Sequence, residues 1–299
     1  MIDTYFPLAR SLPDAPEEVR RGVAPAPPTV RVGAVQYLNT RPLVHGLGGP
    51  GISLDYDLPS RLADRLASGD LDVALIPSIE FFRGDAYSLV SDACIGCRGP
   101  VMSVKLCFRS RPDRVDTLVV DEGSRTSVAL ARILLAERCG VAPRVEVLPI
   151  AADAADVAAD AVLLIGDRAL VPPRGAFQVV WDLGDEWCRW TGLPFVFAVW
   201  AARRDVPAAT LRRVEPLLGA ARDSGRASLA AIASAEASRH GLSVAQCLSY
   251  IRDNLHYDLG VAERAALAFF HDRASALSLA PRGFDPMAAL THPAGSPPR

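Results

Sequence analysis

The sequence has little of what marks a nucleic-acid-binding or membrane protein. Its formal net charge is -2 over 299 residues, whereas a dedicated nucleic-acid surface normally shows a basic excess. No apolar run approaches the ~20 residues that a membrane helix needs. The segment from Met1 to Val30 has no basic start followed by an apolar stretch, so it does not resemble a secretory signal. We therefore expect a cytoplasmic protein whose partner is neither nucleic acid nor a membrane.

The sequence also lacks a pattern that would hold a metal ion. Cys94 and Cys97 have the spacing of a redox or zinc pair, but no second pair and no nearby histidine accompanies them. The five histidines form no ligand pattern. The cysteines are scattered through apolar surroundings: Cys94, Cys97, Cys107, Cys139, Cys188 and Cys247. We expect reduced core thiols and no metal site.

What the sequence does contain is an alternation of strands and helices. The chain is 50% hydrophobic, which suffices for a buried core, and its length favours two domains. Strands are predicted at Val30–Val35, Ile52–Tyr56 and Val73–Ile76, with a helix at Pro59–Ser68. Pro42 is expected to start another helix after the first strand. This order predicts a parallel sheet covered by helices.

A second series of strands and helices follows, including a strand at Thr117–Val120 and a helix at Thr126–Arg138. The apolar strand Phe195–Trp200 is expected to lead back to the first lobe. We therefore predict an α/β, two-lobed fold, with residues 1–109 and 200–299 in lobe one and residues 110–199 in lobe two. Because ligands of open α/β sheets bind beyond the carboxyl ends of the strands, the cleft between the lobes is the expected ligand site.

The C-terminal third is predicted to be helical over Ala208–Arg239, Ser243–Asn254 and Val261–Leu279. Breaks are expected near Gly241 and Gly260. The tail after Pro281 is rich in proline and glycine and is expected to be disordered.

Polar residues stand where several predicted strands end. The side chains of Tyr37, Asn39 and Thr40 can hydrogen-bond a ligand, although an Asx turn and a helix cap use the same residue types. Ser78 can cap the next helix and expose backbone N–H groups to an anion. Glu80 lies in the first turn of that helix, where it either complements the helix dipole or takes part in catalysis.

A glycine-rich loop holds Cys97 and Arg98, with Ser103 shortly after it. The Arg98 guanidinium can present a planar fork to a carboxylate, or it is an ordinary surface arginine. Gly166, at a later strand end, permits close approach of a ligand to the backbone. Asp167 follows it, and this carboxylate is either functional or paired with a neighbouring arginine.

Three hydroxyl residues, Ser124, Thr126 and Ser127, surround the N-terminus of a long predicted helix. The helix dipole, the free N–H groups and the side-chain donors together form an anion-binding cradle. Ordinary N-capping explains one such hydroxyl well but three less well. Since no catalytic triad, zinc signature or nucleotide fingerprint is present, the residues alone indicate a two-lobed, anion-binding cleft.

Six stretches carry a more specific signal when taken together: VGAVQYLNTRPLVHGL, LASGDLDVALIPSIEFFRG, GPVMSV, GSRTSVALARILL, LLIGDRAL and DLGDEWCRWTGLPFVFAVW. In this order they resemble the chorismate dehydratase family of the futalosine route to menaquinone. The resemblance covers most of Arg31 to Trp200, and the helical C-terminal third matches less distinctively. It implies the periplasmic-binding-protein type II fold and a cytoplasmic lyase. Such a lyase converts chorismate to 3-[(1-carboxyvinyl)oxy]benzoate without a metal or organic cofactor.

The resemblance also implies which residues bind the substrate. It places Asn39, Thr40, Ser78 and the cradle of three hydroxyl residues in the pocket. Cys97 departs from the serine that the family often has before its Gly-Pro-Val, and a thiol is a poorer donor. A sister family that makes dihydroxynaphthoate has a histidine base in the region where this chain has Gly166, and this difference favours the dehydratase.

A mechanism follows as a hypothesis. Chorismate is a dianion, so both carboxylates must be paired when they leave water. One is assigned to the cradle and the other to donors of lobe one, with Arg98 as a counter-charge. The base is either the substrate's own enolpyruvyl carboxylate, held by Asn39, or one of Glu80 and Asp167. The alternative functions are a cytosolic small-anion binding or sensor protein of the same fold, and the dihydroxynaphthoate synthase.

Overall fold

Two sheets organise the chain. The computed structural model describes residues 29–83, 86–171 and 175–291, so the predicted N-terminal extension lies outside the described residues. The strands are β1 (Val30–Val35), β2 (Ile52–Asp57), β3 (Val73–Pro77), β4 (Tyr87–Cys97), β5 (Val104–Phe108), β6 (Thr117–Asp121), β7 (Arg144–Leu148), β8 (Ala161–Ile165), β9 (Val179–Asp182), β10 (Phe195–Arg203) and β11 (His256–Asp258). The first sheet has the order β11-β4-β10-β3-β1-β2 and the second has the order β7-β6-β8-β5-β9.

Both sheets are mixed, and the prediction of a parallel first sheet was only partly right. The strands β1, β2 and β3 are parallel to one another, as predicted. β10 runs antiparallel to both of its neighbours, β3 and β4. The chain enters β10 from the second sheet, and β10 runs in the opposite direction to the two strands with which it pairs. Its residues Phe195–Ala202 are buried throughout, which explains why its sequence is apolar without alternation.

The chain changes sheet at two points. The first crossing follows β4 at Cys97 and ends where β5 begins at Val104, and the second lies between Thr191 and Phe195. The two-lobed α/β fold predicted from the sequence is confirmed. The domain limits at 109/110 and 199/200 stay a prediction, and the crossings lie several residues before each of them. The predicted limits lie after the observed crossings because the prediction placed β5 in the same lobe as the strands before it.

Helices cover the sheets and fill the C-terminal third. They are α1 (Pro59–Ser68), α2 (Ser78–Phe81), α3 (Thr126–Cys139), α4 (Asp167–Leu170), α5 (Leu183–Thr191), α6 (Ala208–Ala227), α7 (Leu229–Glu236), α8 (Val244–Ser249), α9 (Val261–Ala276) and α10 (Pro286–Thr291). The 3-10 helices are Leu38–Val44, Pro112–Arg114, Ala154–Asp156 and Ala237–His240, and a π-helix spans Tyr250–Asn254.

Three expectations for the C-terminal third were wrong. The single helix predicted over Ala208–Arg239 breaks at Ser228, whose backbone leaves the helical conformation. This break lets α7 turn and pack on the 3-10 helix Leu38–Val44. The strand β11 was not predicted. Part of the tail that was expected to be disordered forms α10, and the Phe284 ring before it packs 6.0 Å from the ring of Phe82; residues 292–299 lie outside the described residues.

Large aromatic side chains form the core under the crossings. Trp187, Phe195 and Phe270 are almost fully buried, and their ring centroids lie 5.0 to 6.0 Å apart with edge-on geometry. Such pairs add stabilisation beyond the buried area. Since Trp187 belongs to α5, Phe195 to β10 and Phe270 to α9, the cluster fixes the second crossing to the C-terminal helices.

The close approach of α6 to the 3-10 helix Leu38–Val44 generates a prediction. A Cβ at Gly225 would clash with the backbone carbonyl oxygen of Pro42, so Gly225→Ala must push the two helices apart. We expect its unfolding free energy to fall by ~1–3 kcal/mol, measured by chemical denaturation. Gly219→Ala in the same helix is the control, because nothing lies within 4 Å of its Cβ position. It should be neutral or stabilising, and equal losses in both variants would contradict the packing described.

Candidate active site

A cavity opens where the carboxyl ends of strands from the two sheets meet. It contains about 510 Å³ of space free of protein atoms, including the solvent at its mouth. Seven of the predicted site residues line it: Tyr37, Asn39, Ser103, Ser124, Thr126, Ser127 and Gly166. Asn39 follows β1 and Thr126 begins α3, so a single cavity is shared by both lobes.

The 3-10 helix Leu38–Val44 presents Asn39 to the cavity. β1 ends at Val35, and the helix starts when the Thr40 N–H bonds the Tyr37 carbonyl at 3.1 Å. The predicted turn with Pro42 at a helix start was wrong, because Pro42 lies inside this helix. The buried Thr40 hydroxyl donates to Asn39 Oδ1, the side-chain amide oxygen, at 3.2 Å. Thr40 therefore orients the amide of Asn39 and is not itself among the residues that line the cavity.

The N-terminus of α3 has no side-chain cap. Arg125 occupies the N-cap position and makes no capping hydrogen bond. Its guanidinium pairs instead with Asp64 at 2.7 Å and with Glu80 at 3.4 Å. The first N–H groups of a helix have no partner within the helix, so here they remain available to a ligand in the cavity.

Two hydroxyls at this helix end have no hydrogen-bond partner among the described residues: Ser124 Oγ and Tyr37 Oη. Both are buried and both residues line the cavity. Burial, followed by the nearby Asp121 and Asp167 carboxylates, raises the pKa of Tyr37, so its hydroxyl stays protonated. An unsatisfied buried hydroxyl costs free energy, and a ligand carboxylate would satisfy both.

A buried ion pair holds the turn before α3. Asp121 accepts a hydrogen bond from the Gly123 N–H at 3.0 Å and pairs with Arg168 at 3.1 Å. Burial raises the pKa of the Asp121 carboxyl, while the Gly123 N–H and Arg168 oppose that shift. The Ser124 N–H bonds the Asp121 carbonyl at 2.9 Å. These bonds fix the direction of the Ser124 side chain.

Ser78 and Thr126 join the two lobes beside the cavity. The Thr126 hydroxyl accepts the Ile79 N–H at 3.2 Å and lies 3.4 Å from Ser78 Oγ, which donates to the Val196 carbonyl at 2.8 Å. Ser78 was predicted to contact the ligand, but it is fully buried and is not among the cavity-lining residues. Its hydrogen bonds tie α2 to β10 and to the start of α3.

Gly166 lies directly against Tyr37. Its φ is +59°, a region that favours glycine, and an added Cβ would lie 2.6 Å from the Tyr37 ring. Any larger side chain here would displace Tyr37 from the cavity wall. The sequence indicated Gly166 as a point of close approach for a ligand, and the structure places a tyrosine ring there.

The sequence missed Tyr250, which lies beneath the cavity at the start of the π-helix Tyr250–Asn254. It is fully buried, and its hydroxyl interacts with the side chains of Ser103 and Asn39. Burial raises its pKa, and hydrogen bonds from these two residues oppose that shift. The only sequence signal was a tyrosine within an amphipathic helical pattern, which does not distinguish it from a core residue.

Four other predicted residues also lie outside the cavity lining. Glu80 is buried and pairs with Arg83 at 2.8 Å as well as with Arg125. Cys97 packs against Cys188, and this contact together with burial raises the pKa of the Cys97 thiol. The remaining two are Arg98, which bonds Glu263 Oε1 at 2.9 Å, and Asp167.

Asp167 points away from the cavity towards the 3-10 helix Leu38–Val44. Its carboxylate accepts the Leu38 N–H at 3.0 Å and lies 3.2 Å from His240 Nδ1. Burial raises the pKa of this carboxyl, opposed by the Leu38 N–H and by His240. The Asp167 carboxylate therefore acts on the 3-10 helix Leu38–Val44, which carries Asn39.

Among the described residues that line the cavity, none is an aspartate, a glutamate or a histidine. Arg125 is the one cationic side chain among these described lining residues, and it pairs with two carboxylates. Across residues 29–83, 86–171 and 175–291, no group of three or more His, Cys, Asp or Glu could hold a metal ion. The helices within these ranges also include none long and apolar enough to cross a membrane.

Comparison with known proteins decides the family. A family model described as menaquinone biosynthesis matches residues 30–276. A chorismate dehydratase from Thermus thermophilus is 33% identical over 256 residues, covering 80% of this chain and 93% of that protein. The chain belongs to the chorismate dehydratase family of menaquinone biosynthesis. The family resemblance of the six sequence stretches is thereby confirmed.

Solved structures place this dehydratase-family chain in a known fold. A protein of Archaeoglobus fulgidus aligns with a TM-score of 0.61 at 16% identity, covering 84% of this chain and 98% of that one. The aliphatic sulphonate binding protein SsuA of Escherichia coli aligns at 0.58 and 17%, covering 88% and 97%. A Candida albicans protein with the generic periplasmic-binding-protein fold aligns at 0.58 and 11%, covering 87% and 94%. These likenesses confirm the predicted periplasmic-binding-protein-like fold.

The contact between Gly166 and Tyr37 gives a prediction for the site. Gly166→Ala should lower the unfolding free energy by more than ~2 kcal/mol, because a positive φ and a clash act together. Gly140→Ala is the matched control, since Gly140 also has a positive φ, +70°, but has nothing within 4 Å of its Cβ position. The unfolding free energy of Gly140→Ala should fall by only ~1 kcal/mol. Denaturant titration of both variants is the measurement, and equal losses would contradict a tight contact with Tyr37.

Proposed function

We propose that the protein removes water from chorismate to give 3-[(1-carboxyvinyl)oxy]benzoate, in the cytoplasm and within the futalosine route to menaquinone. Membership of the family and the identity to a chorismate dehydratase support this reaction. The observation that carries the proposal is the uncapped end of α3, which faces the cavity together with two partnerless hydroxyls. These groups suit a buried carboxylate of the substrate.

The ring carboxylate of chorismate binds at this helix end. Ser124 and Tyr37 supply hydroxyl donors and α3 supplies its first N–H groups. Thr126 and Ser127 line the same wall. The reaction takes the proton from the ring carbon that bears the ether, and the resulting negative charge spreads through a ring double bond onto this carboxylate. Donors already aimed at the carboxylate therefore stabilise the charge as it develops.

The base is the substrate's own enolpyruvyl carboxylate, positioned by the Asn39 amide. This choice follows from the absence of a carboxylate or imidazole among the residues that line the cavity. Glu80 is paired with two arginines and Asp167 faces the other side of the 3-10 helix, so neither reaches the ring proton. Arg98 is held by Glu263 and does not serve as the counter-charge first assigned to it.

Loss of the neighbouring ring hydroxyl completes the reaction. The electron pair left by the C–H bond forms the third double bond of the ring, and the C–O bond to the hydroxyl breaks. The proton and the hydroxide leave as water, so the reaction balances without an added reactant. Because aromatisation drives this step, the protein's contribution is to orient the substrate and to keep bulk water away.

The dihydroxynaphthoate synthase activity is disfavoured by the contact at Gly166. A histidine base at this position would need a side chain where the Tyr37 ring now lies. The sensor alternative differs from the enzyme in what happens to chorismate. Incubating purified protein with chorismate and following both substrate and aromatic product separates them. Consumption with product formation supports the proposal, whereas a raised melting temperature without turnover would replace it with a sensor.

Substitution of Asn39 tests the assigned base. Asn39→Asp keeps the size of the side chain but repels the enolpyruvyl carboxylate, so we expect kcat to fall by about 10²-fold or more. Gln178→Glu is the control, because it makes the same change from amide to carboxylate at an exposed residue outside the cavity. Steady-state kinetics with chorismate is the measurement. Wild-type turnover in Asn39→Asp would remove Asn39 from the mechanism.

Substitution of Ser124 tests the carboxylate site. Ser124→Ala removes a hydroxyl that lacks a protein partner, so the melting temperature should be unchanged or higher. The value of kcat/KM should fall by about 10- to 100-fold, because a donor to the developing charge is lost. Ser228→Ala, in the break between α6 and α7, is a control outside the site. A Ser124 variant with unchanged kcat/KM would show that the ring carboxylate binds elsewhere.

A further inference from the structure

His240 lies between two carboxylates behind the helix that carries Asn39. Its Nδ1 is 3.2 Å from Asp167 Oδ2, and its Nε2 is 3.4 Å from Glu236 Oε2. The side chain of His240 is only 10% exposed and that of Glu236 only 14%. The side chain of Asp167 is 30% exposed. Carboxylates partly withdrawn from water need compensation, and the imidazole of His240 lies within reach of both.

The two carboxylates contact the first residue and the middle residue of the 3-10 helix Leu38–Val44. Asp167 accepts the Leu38 N–H at 3.0 Å, at the first residue of the helix. Glu236 Oε2 lies 3.5 Å from Arg41 Nε, one helical turn later. Asn39 sits between these two attachments, so a shift of either carboxylate would move its amide.

The same chain of contacts joins the lobes. Asp167 begins α4 directly after Gly166, in the part of the chain that belongs to the second sheet, whereas Glu236 ends α7 and His240 ends the 3-10 helix Ala237–His240. Besides Arg41, a second arginine lies near this cluster: Arg239 Nη1 is 3.7 Å from Glu236 Oε1. His240 is thus the one side chain described here that contacts both carboxylates.

We propose that His240 is a positioning residue: together with Asp167 and Glu236 it holds the 3-10 helix so that the Asn39 amide faces the cavity. This inference rests on the proposed function in so far as Asn39 positions the enolpyruvyl carboxylate. His240 touches neither the cavity nor the substrate, so its effect reaches the reaction through Asn39. Disrupting this contact should therefore lower kcat rather than raise KM, since the ring carboxylate binds at α3, away from His240.

A double-mutant cycle tests the coupling. His240→Leu and Asp167→Asn should each lower kcat by about 10-fold with KM changed by less than about 3-fold. The double variant should lose about 10-fold in kcat as well, because either change already breaks the same contact.

His240→Gln keeps a donor and should recover part of the loss in kcat. His45→Gln, on the C-terminal side of the same 3-10 helix, is the control and should match the wild type. Losses that multiply to about 100-fold, or no loss in His240→Leu, would overturn the proposal.

Hydrogen exchange gives a readout that does not depend on turnover. The amides of Leu38–Val44 should exchange faster in His240→Leu than in the wild type or in His45→Gln, while those of α9 should be unchanged. Unchanged exchange in Leu38–Val44 would overturn the positioning role even if the protein proved not to act on chorismate. If His240→Leu does not fold, Glu236→Gln breaks the other side of the contact and is tested by the same two measurements.

Discussion

The need to pair a carboxylate away from water governs the architecture of this site. The protein meets it with dipoles and hydroxyls: the open end of α3, Ser124 and Tyr37. In the proposed mechanism, the interaction of these donors with the ring carboxylate grows as negative charge moves onto it.

The residues behind the cavity wall are held by ion pairs with one another. Asp64 and Glu80 hold the guanidinium of Arg125, the residue at the N-cap of α3. The buried pair of Asp121 and Arg168 fixes the turn that leads to Ser124. Gly166 keeps the Tyr37 ring in place. Several charged residues therefore serve the site by restricting their neighbours, without contacting the ligand.

The sequence predicted most of the fold because its signals are local. The helix Pro59–Ser68 has a clear apolar face, and the one that begins at Thr126 is rich in alanine and leucine. They end at Gly69 and Gly140, both in the left-handed conformation. The predicted lobe limits differ from the observed crossings because β5 and the strands of the first sheet have the same apolar pattern. The break at Ser228 depends on packing against the 3-10 helix, which no local pattern records.

The candidate site was predictable only in part, for a similar reason. A glycine, an amide or a hydroxyl next to a strand end signals a ligand contact, and seven such residues do line one cavity. The partners of Arg98 and Asp167, and the Arg125 partner of Glu80, are distant in sequence, so their pairing away from the cavity left no trace in their own motifs. Tyr250 and His240 were missed because their roles arise from tertiary contacts with the helix around Asn39.

A crystal structure with the proposed product, 3-[(1-carboxyvinyl)oxy]benzoate, would test the account of the anion site most directly. We expect the ring carboxylate within hydrogen-bond distance of Ser124 Oγ, Tyr37 Oη and the first N–H groups of α3, with the carboxyvinyl group beside Asn39. A product bound with its ring carboxylate on Arg98 or Arg168, and the end of α3 left open, would contradict it.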